Sequence, residues 1–235
     1  MDDVVAGFMT AHQVPGMSIA VARDGVLVHQ KGYGMADRES GENVTPAHLF
    51  RIASVSKPIT SVAIFHLTEQ GKLKLDDPVF GPGAILGTDY GRPPYKPHVA
   101  EIRLKHLLTH TAGGWQNDDS DPMFRNTAMN HRQLITWAID GVPLANAPGE
   151  HYAYSNFGYC VVGRIVEKVT GKPYEQHVRE AVLARCGVAD MRISGDTRAE
   201  RARGEVVYYA SCRRRLVRYE CAAHGFARRV AGDGA

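Results

Sequence analysis

Ser54-Val55-Ser56-Lys57 places a hydroxyl and an amine three residues apart, a separation that on a helix brings both to one face about a turn from each other. A serine hydroxyl is a poor nucleophile until a neighbour takes its proton, and a lysine can do so once burial or nearby charge lowers its pKa. The pair reads as a nucleophile and its base. It is the only Ser-x-x-Lys in the 235 residues, and it opens a helical pattern directly after Phe50-Arg51-Ile52-Ala53. At a helix start, free backbone N–H groups and the positive dipole end favour a developing oxyanion. Taken alone, the same spacing also fits two surface residues.

Tyr154-Ser155-Asn156 follows one hundred residues later and is the only Tyr-x-Asn in the chain. A phenol near a lysine ammonium can shuttle a proton, and an asparagine amide can hydrogen-bond a substrate carbonyl. The plainer reading is a helix cap beside a packed tyrosine. His106 and His110, at i and i+4 with Asp118 and Asp119 nearby, have metal-ligand spacing but lack the intervening Glu of His-Glu-x-x-His. We expect a structural His110 and no metal. None of the nine serines stands in Gly-x-Ser-x-Gly, and neither Gly-x-Gly-x-x-Gly nor a phosphate loop is present, so α/β-hydrolase and nucleotide chemistry have no support. Cysteines 160, 186, 212 and 221 show no Cys-x-x-Cys spacing and read as small buried apolar side chains.

Several elements must position these groups. Val4, Val5, Phe8 and Met9 form the stripe of a short helix closed by Pro15-Gly16. Met17–Arg23 and Val26–Lys31 are β-prone runs around Asp24-Gly25, a strong hairpin signal. From Ser54 to Gln70 the positions Val55, Ile59, Val62, Ala63, His66 and Leu67 keep helical spacing, with Gly71 as the stop. Residues 78–97 hold five Pro and four Gly and read as a long irregular loop. Further helices are predicted at 101–109, 131–140, 157–170 and 173–185, and strands at 205–210 and 216–221. Strands first, a mainly helical 51–185 and a strand-prone end indicate an α+β fold, an antiparallel sheet flanked by helices, in a single domain over 1–235.

Hydrophobic residues make up 44% and charged residues 23% of the chain, enough for a sizeable core and too apolar for disorder. The net charge of +3 conceals an Arg-rich end: residues 191–235 carry ten Arg, no Lys and five acidic residues. A net charge of +5 over those 45 residues with no interleaved aromatic platform is weak support for a nucleic-acid partner, and none is expected. No window is apolar enough for a membrane span, and the start Met1-Asp2-Asp3 is unlike a secretory signal, so a cytoplasmic protein is expected.

Ser-x-x-Lys followed by Tyr-x-Asn resembles the serine β-lactamase and penicillin-binding protein superfamily, most closely the branch of class C β-lactamases, D,D-peptidases and family VIII carboxylesterases. Lys31-Gly32-Tyr33-Gly34, Phe50–Thr60, Gly71–Pro78, Leu107–Gly114 and Pro148-Gly149 are similar to that branch as well. The resemblance implies that Ser54 is acylated, Lys57 and Tyr154 handle its proton, Asn156 orients the substrate, and no cofactor is needed. These motifs do not choose among esters, β-lactams and D-Ala-D-Ala peptides; the lack of a visible signal, and loops 78–97 and 115–127 that could shape an apolar acyl pocket, point to short-chain carboxylic esters, with β-lactams or D-Ala-D-Ala peptides as the alternative. The family's third motif, Lys-Thr-Gly or a His-x-Gly or Trp-x-Gly variant, does not occur; His224-Gly225-Phe226 is the nearest string. The end beyond about Ser211 is also unlike the family, and the chain is about a third shorter than its usual members. A truncated or frame-shifted product with altered late strands is therefore expected. Feeble activity should follow, together with self-association wherever an exposed sheet edge pairs with another copy. An inert binding module is the alternative of another class.

Overall fold

A computed structural model describes residues 1–119, 121–126, 128–195, 197, 199–212 and 215–218. They fall into two compact units, Met1–Arg51 with Gly195–Cys221, and a second built on Ile52–Ser194.

In the first unit, helix α1 (Asp2–His12) carries Asp2 and Asp3 at its positive end and stops where Gln13 turns left-handed, φ 53°. Strands β1 (Gly16–Arg23) and β2 (Val26–Asp37) then form the expected hairpin, and both turn residues, Asp24 and Gly25, have positive φ. That turn matches the twist of the strands it joins. The register runs from Gly16 opposite Gly34 to Arg23 opposite Val26, with a bulge at Val21/Ala22. A two-residue strand β3 (Glu42–Asn43), absent from the sequence reading, pairs with β2 in the order β1-β2-β3. Asp2 pins the helix to β2 through Lys31 at 2.6 Å and Tyr33 Oη at 2.8 Å. A small core of Ala36, Val44 and Val206, with Phe50 and Tyr208 against it, holds this unit. Strand β4 (Tyr209–Cys212) pairs with β5 (Arg215–Arg218).

The second unit is helical. Helix α2 (Ser56–Glu69) is followed by α3 (Leu104–Leu108), α4 (Pro122–Arg125), α5 (His131–Gly141), α6 (Asn156–Thr170) and α7 (Tyr174–Val178). Helix α6 is central: Phe157, Val161, Val162, Ile165 and Val166 are fully buried. Ser155 caps its start by accepting the Gly158 N–H at 2.9 Å, and Gly171 ends it at φ 68°. Residues 78–97 are irregular as predicted, yet Val79, Phe80 and Leu86 from that loop lie inside the core.

Several expectations are corrected. The buried face of α2 runs through Lys57, Thr60, Ala63, Ile64 and Leu67, while Val55 and Val62 point outward. Packing against α6 selected that face, and a mixed apolar pattern did not disclose it. The 101–109 helix is a 3₁₀ turn, Val99–Glu101, followed by α3. The 173–185 helix is α7 continued as a π segment, Arg179–Leu183, and a 3₁₀ turn, Ala184–Cys186. Of residues 205–208, Glu205 forms only a bridge to Leu49, and the strand begins at Tyr209. Cys160 is buried as expected, but Cys186 is exposed, because it ends the last 3₁₀ turn. Cys221 and His224-Gly225-Phe226, like all of residues 219–235, lie outside the described residues. Among the described residues no helix is long and apolar enough to cross a membrane.

Candidate active site

The candidate site lies within the helical unit. Ser54 occupies a 3₁₀ turn, Ala53–Val55, that runs directly into α2. Ala53 before it has φ 43°, left-handed for a residue with a side chain, the kind of local strain that clusters at functional positions. Ser54 is exposed, whereas Lys57, one turn further on, is only 5% exposed. The lysine Nζ donates to Ser54 Oγ at 3.2 Å.

Tyr154 arrives from the segment preceding α6 and its Oη lies 2.6 Å from the same Ser54 Oγ. The Lys57 ammonium stands 4.7 Å from the Tyr154 ring centroid and 5.6 Å from that of Tyr159. Asn156, the first residue of α6, accepts from Lys57 Nζ through Oδ1 at 2.9 Å. All four residues singled out by sequence therefore converge.

Burial holds the Lys57 pKa below the ordinary lysine value, opposed by the neighbouring Tyr154 and Asp121. A lysine in that state is a better proton acceptor near neutrality than a free one.

The surrounding frame explains how Tyr154 is held. The Ala153 N–H donates to the His110 carbonyl at 2.7 Å, and the Ser155 N–H donates to His110 Nδ1 at 3.1 Å. The His110 ring lies 4.5 Å from the Tyr154 ring and 5.2 Å from that of Tyr159. Burial, and then the charge of Lys57, lower the His110 pKa, which keeps Nδ1 free to accept. The Asn117 N–H donates to the Tyr154 carbonyl at 2.7 Å. His106 Nδ1 is likewise occupied by the Arg103 N–H at 3.1 Å, and no group of three or more metal-ligating side chains occurs among the described residues. Gly113, at φ 96°, lets the segment carrying Asn146 approach closely, since a Cβ there would run into the Asn146 carbonyl oxygen.

Two side chains beside Asn156 escaped the sequence reading. Asn156 Nδ2 donates to Asn117 Oδ1 at 2.6 Å and to Asp121 Oδ2 at 3.3 Å. Asp121 is wholly buried, and it caps α4 by accepting the Met123 N–H at 2.9 Å. Its signal was Asp121-Pro122, an N-cap residue followed by proline at the first helical position. Nothing in the sequence marked Asn117.

Residues 1–225 match the β-lactamase family. The chain belongs to that family. This β-lactamase-family chain is similar to esterase EstB of Burkholderia gladioli, with 30% identity over 224 residues that take in 89% of this chain and 54% of EstB. Among solved structures, the octameric penicillin-binding protein homologue from Pyrococcus abyssi matches with a TM-score of 0.75 at 27% identity, covering 95% of this chain and 50% of that one. D-alanine carboxypeptidase AmpC from Burkholderia cenocepacia matches with a TM-score of 0.69 at 26% identity, over 94% of this chain and 56% of that one. The chain thus has the β-lactamase-like α+β fold and spans about half the length of these relatives.

Proposed function

We propose that the chain is a serine hydrolase that cleaves short-chain carboxylic esters through an acyl-enzyme on Ser54. The observation that carries this reading is the meeting of two proton-handling groups, Lys57 Nζ and Tyr154 Oη, on one exposed hydroxyl. In the first step Ser54 Oγ bonds to the ester carbonyl carbon while its proton passes to the Lys57–Tyr154 pair. The tetrahedral oxyanion then collapses, the C–O bond to the alcohol breaks, and the same pair returns a proton to the leaving alkoxide. Water, deprotonated by the pair, attacks the acyl carbon and releases the acid, restoring the serine. Asn156, whose amide engages Lys57, Asn117 and Asp121, orients the substrate through the lysine it holds. The N–H of Ser54, in the first turn where backbone donors lack helical partners, supplies oxyanion stabilisation.

Similarity to EstB, an esterase by name, supports the ester reading, and similarity to D-alanine carboxypeptidase AmpC favours a peptide alternative with the same acyl-serine chemistry. Parallel rates on p-nitrophenyl butyrate, a chromogenic cephalosporin and a D-Ala-D-Ala peptide test the order. Ester turnover that disappears in Ser54→Ala is expected. Lactam or peptide turnover with negligible ester turnover reverses the order, and equal activity in wild type and Ser54→Ala leaves only an inert module. The same reading includes self-association, as in the octameric relative; light scattering on purified protein that returns only a 25.8 kDa monomer removes that part.

A further inference from the structure

We propose that Asp121 is a positioning residue for Lys57: acting through the Asn156 amide, its carboxylate keeps the amide oxygen turned toward the lysine and governs how tightly the lysine holds its proton. The link is a chain of three groups. Lys57 Nζ donates to Asn156 Oδ1 at 2.9 Å, and Asn156 Nδ2 donates to Asp121 Oδ2 at 3.3 Å. An ammonium can only donate and a carboxylate can only accept, so the amide orientation between them is dictated by chemistry. Asn117 Oδ1, a second acceptor at 2.6 Å from Nδ2, enforces the same orientation. A negative charge at one end of such a bridge polarises the amide and strengthens the oxygen's hold on the ammonium at the other. The Asn156 backbone N–H also bears on the Asp121 carboxylate, so the acid faces the positive start of α6.

Charged and titratable groups face this pair from several elements. Lys57 is faced by Tyr154 and Tyr159 from the α6 side, by His110 and by Asp121. Asp121 is faced by Asp118 from its own loop, in addition to Asn156 and the Met123 N–H. Asp121 is an acidic side chain that bears on the lysine. It is also wholly buried, where burial pushes its carboxyl up to about 6. Three N–H donors, from Met123, the Asn156 amide and the Asn156 backbone, offset part of the cost of burying that charge.

The consequence for turnover rests on the hydrolase reading; the coupling itself does not. The experiment is an NMR titration of protein carrying 13C-lysine, with Lys57 assigned through Lys57→Arg, in wild type and Asp121→Asn. Asparagine keeps one acceptor oxygen for the Met123 cap and puts an amide NH2 where Oδ2 accepted from Asn156, so the variant removes both the charge and the acceptor that orients the Asn156 amide. The Lys57 midpoint is expected to fall by about one pH unit in the variant. An unchanged midpoint overturns the proposal. Should the variant fail to fold, wild type is compared with His110→Asn: the Lys57 signal is expected to show a second, smaller inflection near pH 6 in both as Asp121 titrates, and an inflection that is absent, or that vanishes with the imidazole, overturns the proposal. Labelling of Ser54 by a fluorophosphonate, with Ser54→Ala as control, is read separately. A titration shift without labelling supports the coupling and removes the hydrolase reading, whereas labelling without a shift ends the proposal and leaves the hydrolase.

Discussion

The β1–β2 hairpin and helix α6 bury their residues to very different degrees. No residue of β1 is buried, and in β2 only Ala36 and Asp37 are. Eleven of the fifteen residues of α6 are buried. Val26, Leu27 and Val28 at the tip of the hairpin stand more than half exposed, while the side chains facing the α6 core interlock with the unit that carries Ser54, Lys57, Tyr154 and Asn156. The difference teaches that the proposed chemistry is held by the deeply packed unit. A serine, a lysine and a tyrosine can be kept within bonding distance because the helices bearing two of them and the segment bearing the third are fixed by a close-packed core.

The largest expected effect is on chemistry. Ser54→Ala should lower p-nitrophenyl butyrate hydrolysis about a thousand-fold or more while leaving the melting temperature close to wild type, since Ser54 is exposed; retained activity would detach function from the packed unit. Next come core truncations in the two regions. Ile165→Ala, in α6 and fully buried, should lose about 2–5 kcal/mol in urea unfolding, and Ile19→Ala, in the partly exposed β1, about 1 kcal/mol or less. Equal losses would break the comparison.

Two pH effects sharpen it. The folded Asp121 carboxyl, at about 6 against the ordinary 3.8, holds its proton more tightly than the unfolded chain does. Its contribution is therefore fully present below about pH 4 and is lost as pH rises through 6. The stability of Asp121→Asn relative to wild type should accordingly rise between pH 4 and 7, by on the order of 2–3 kcal/mol, measured by urea unfolding at each pH. With Lys57 as the proton acceptor, kcat/KM for ester hydrolysis should climb with pH to a midpoint below the ordinary lysine value of 10.5, about tenfold per unit on the acid side; a limb at or above that value would remove Lys57 from the role. The smallest effect is expected at Val62, on the outward face of α2 and 52% exposed, where Val62→Ser should change stability by no more than about 0.5 kcal/mol.

Legibility in the sequence followed the range of the interactions. Ser54 and Lys57 are read from spacing because one helical turn joins them. The hairpin is read from Asp24-Gly25, since turn geometry is local, and α5 and α6 from their apolar period and caps. The buried face of α2 was not legible, because Val55 and Val62 continue a plausible stripe yet face outward. Asn117 and Asp121 lie between the predicted helices, and their role depends on an amide 39 and 35 residues away. The π and 3₁₀ continuation of α7 also escaped a reading that assumes one helical period.

By itself, the order of residues determined the family, the α+β class, the hairpin, the principal helices and the four side chains that meet at the candidate site. These follow from short-range backbone preference and from motifs whose members are each identified by residue type and spacing. Only the tertiary structure decided that Tyr154 reaches Ser54 across one hundred positions of chain, that Lys57 is buried, and that a hidden carboxylate stands behind Asn156. Those outcomes depend on which helix faces pack together and on how much water the packing excludes, and both are properties of the folded chain as a whole.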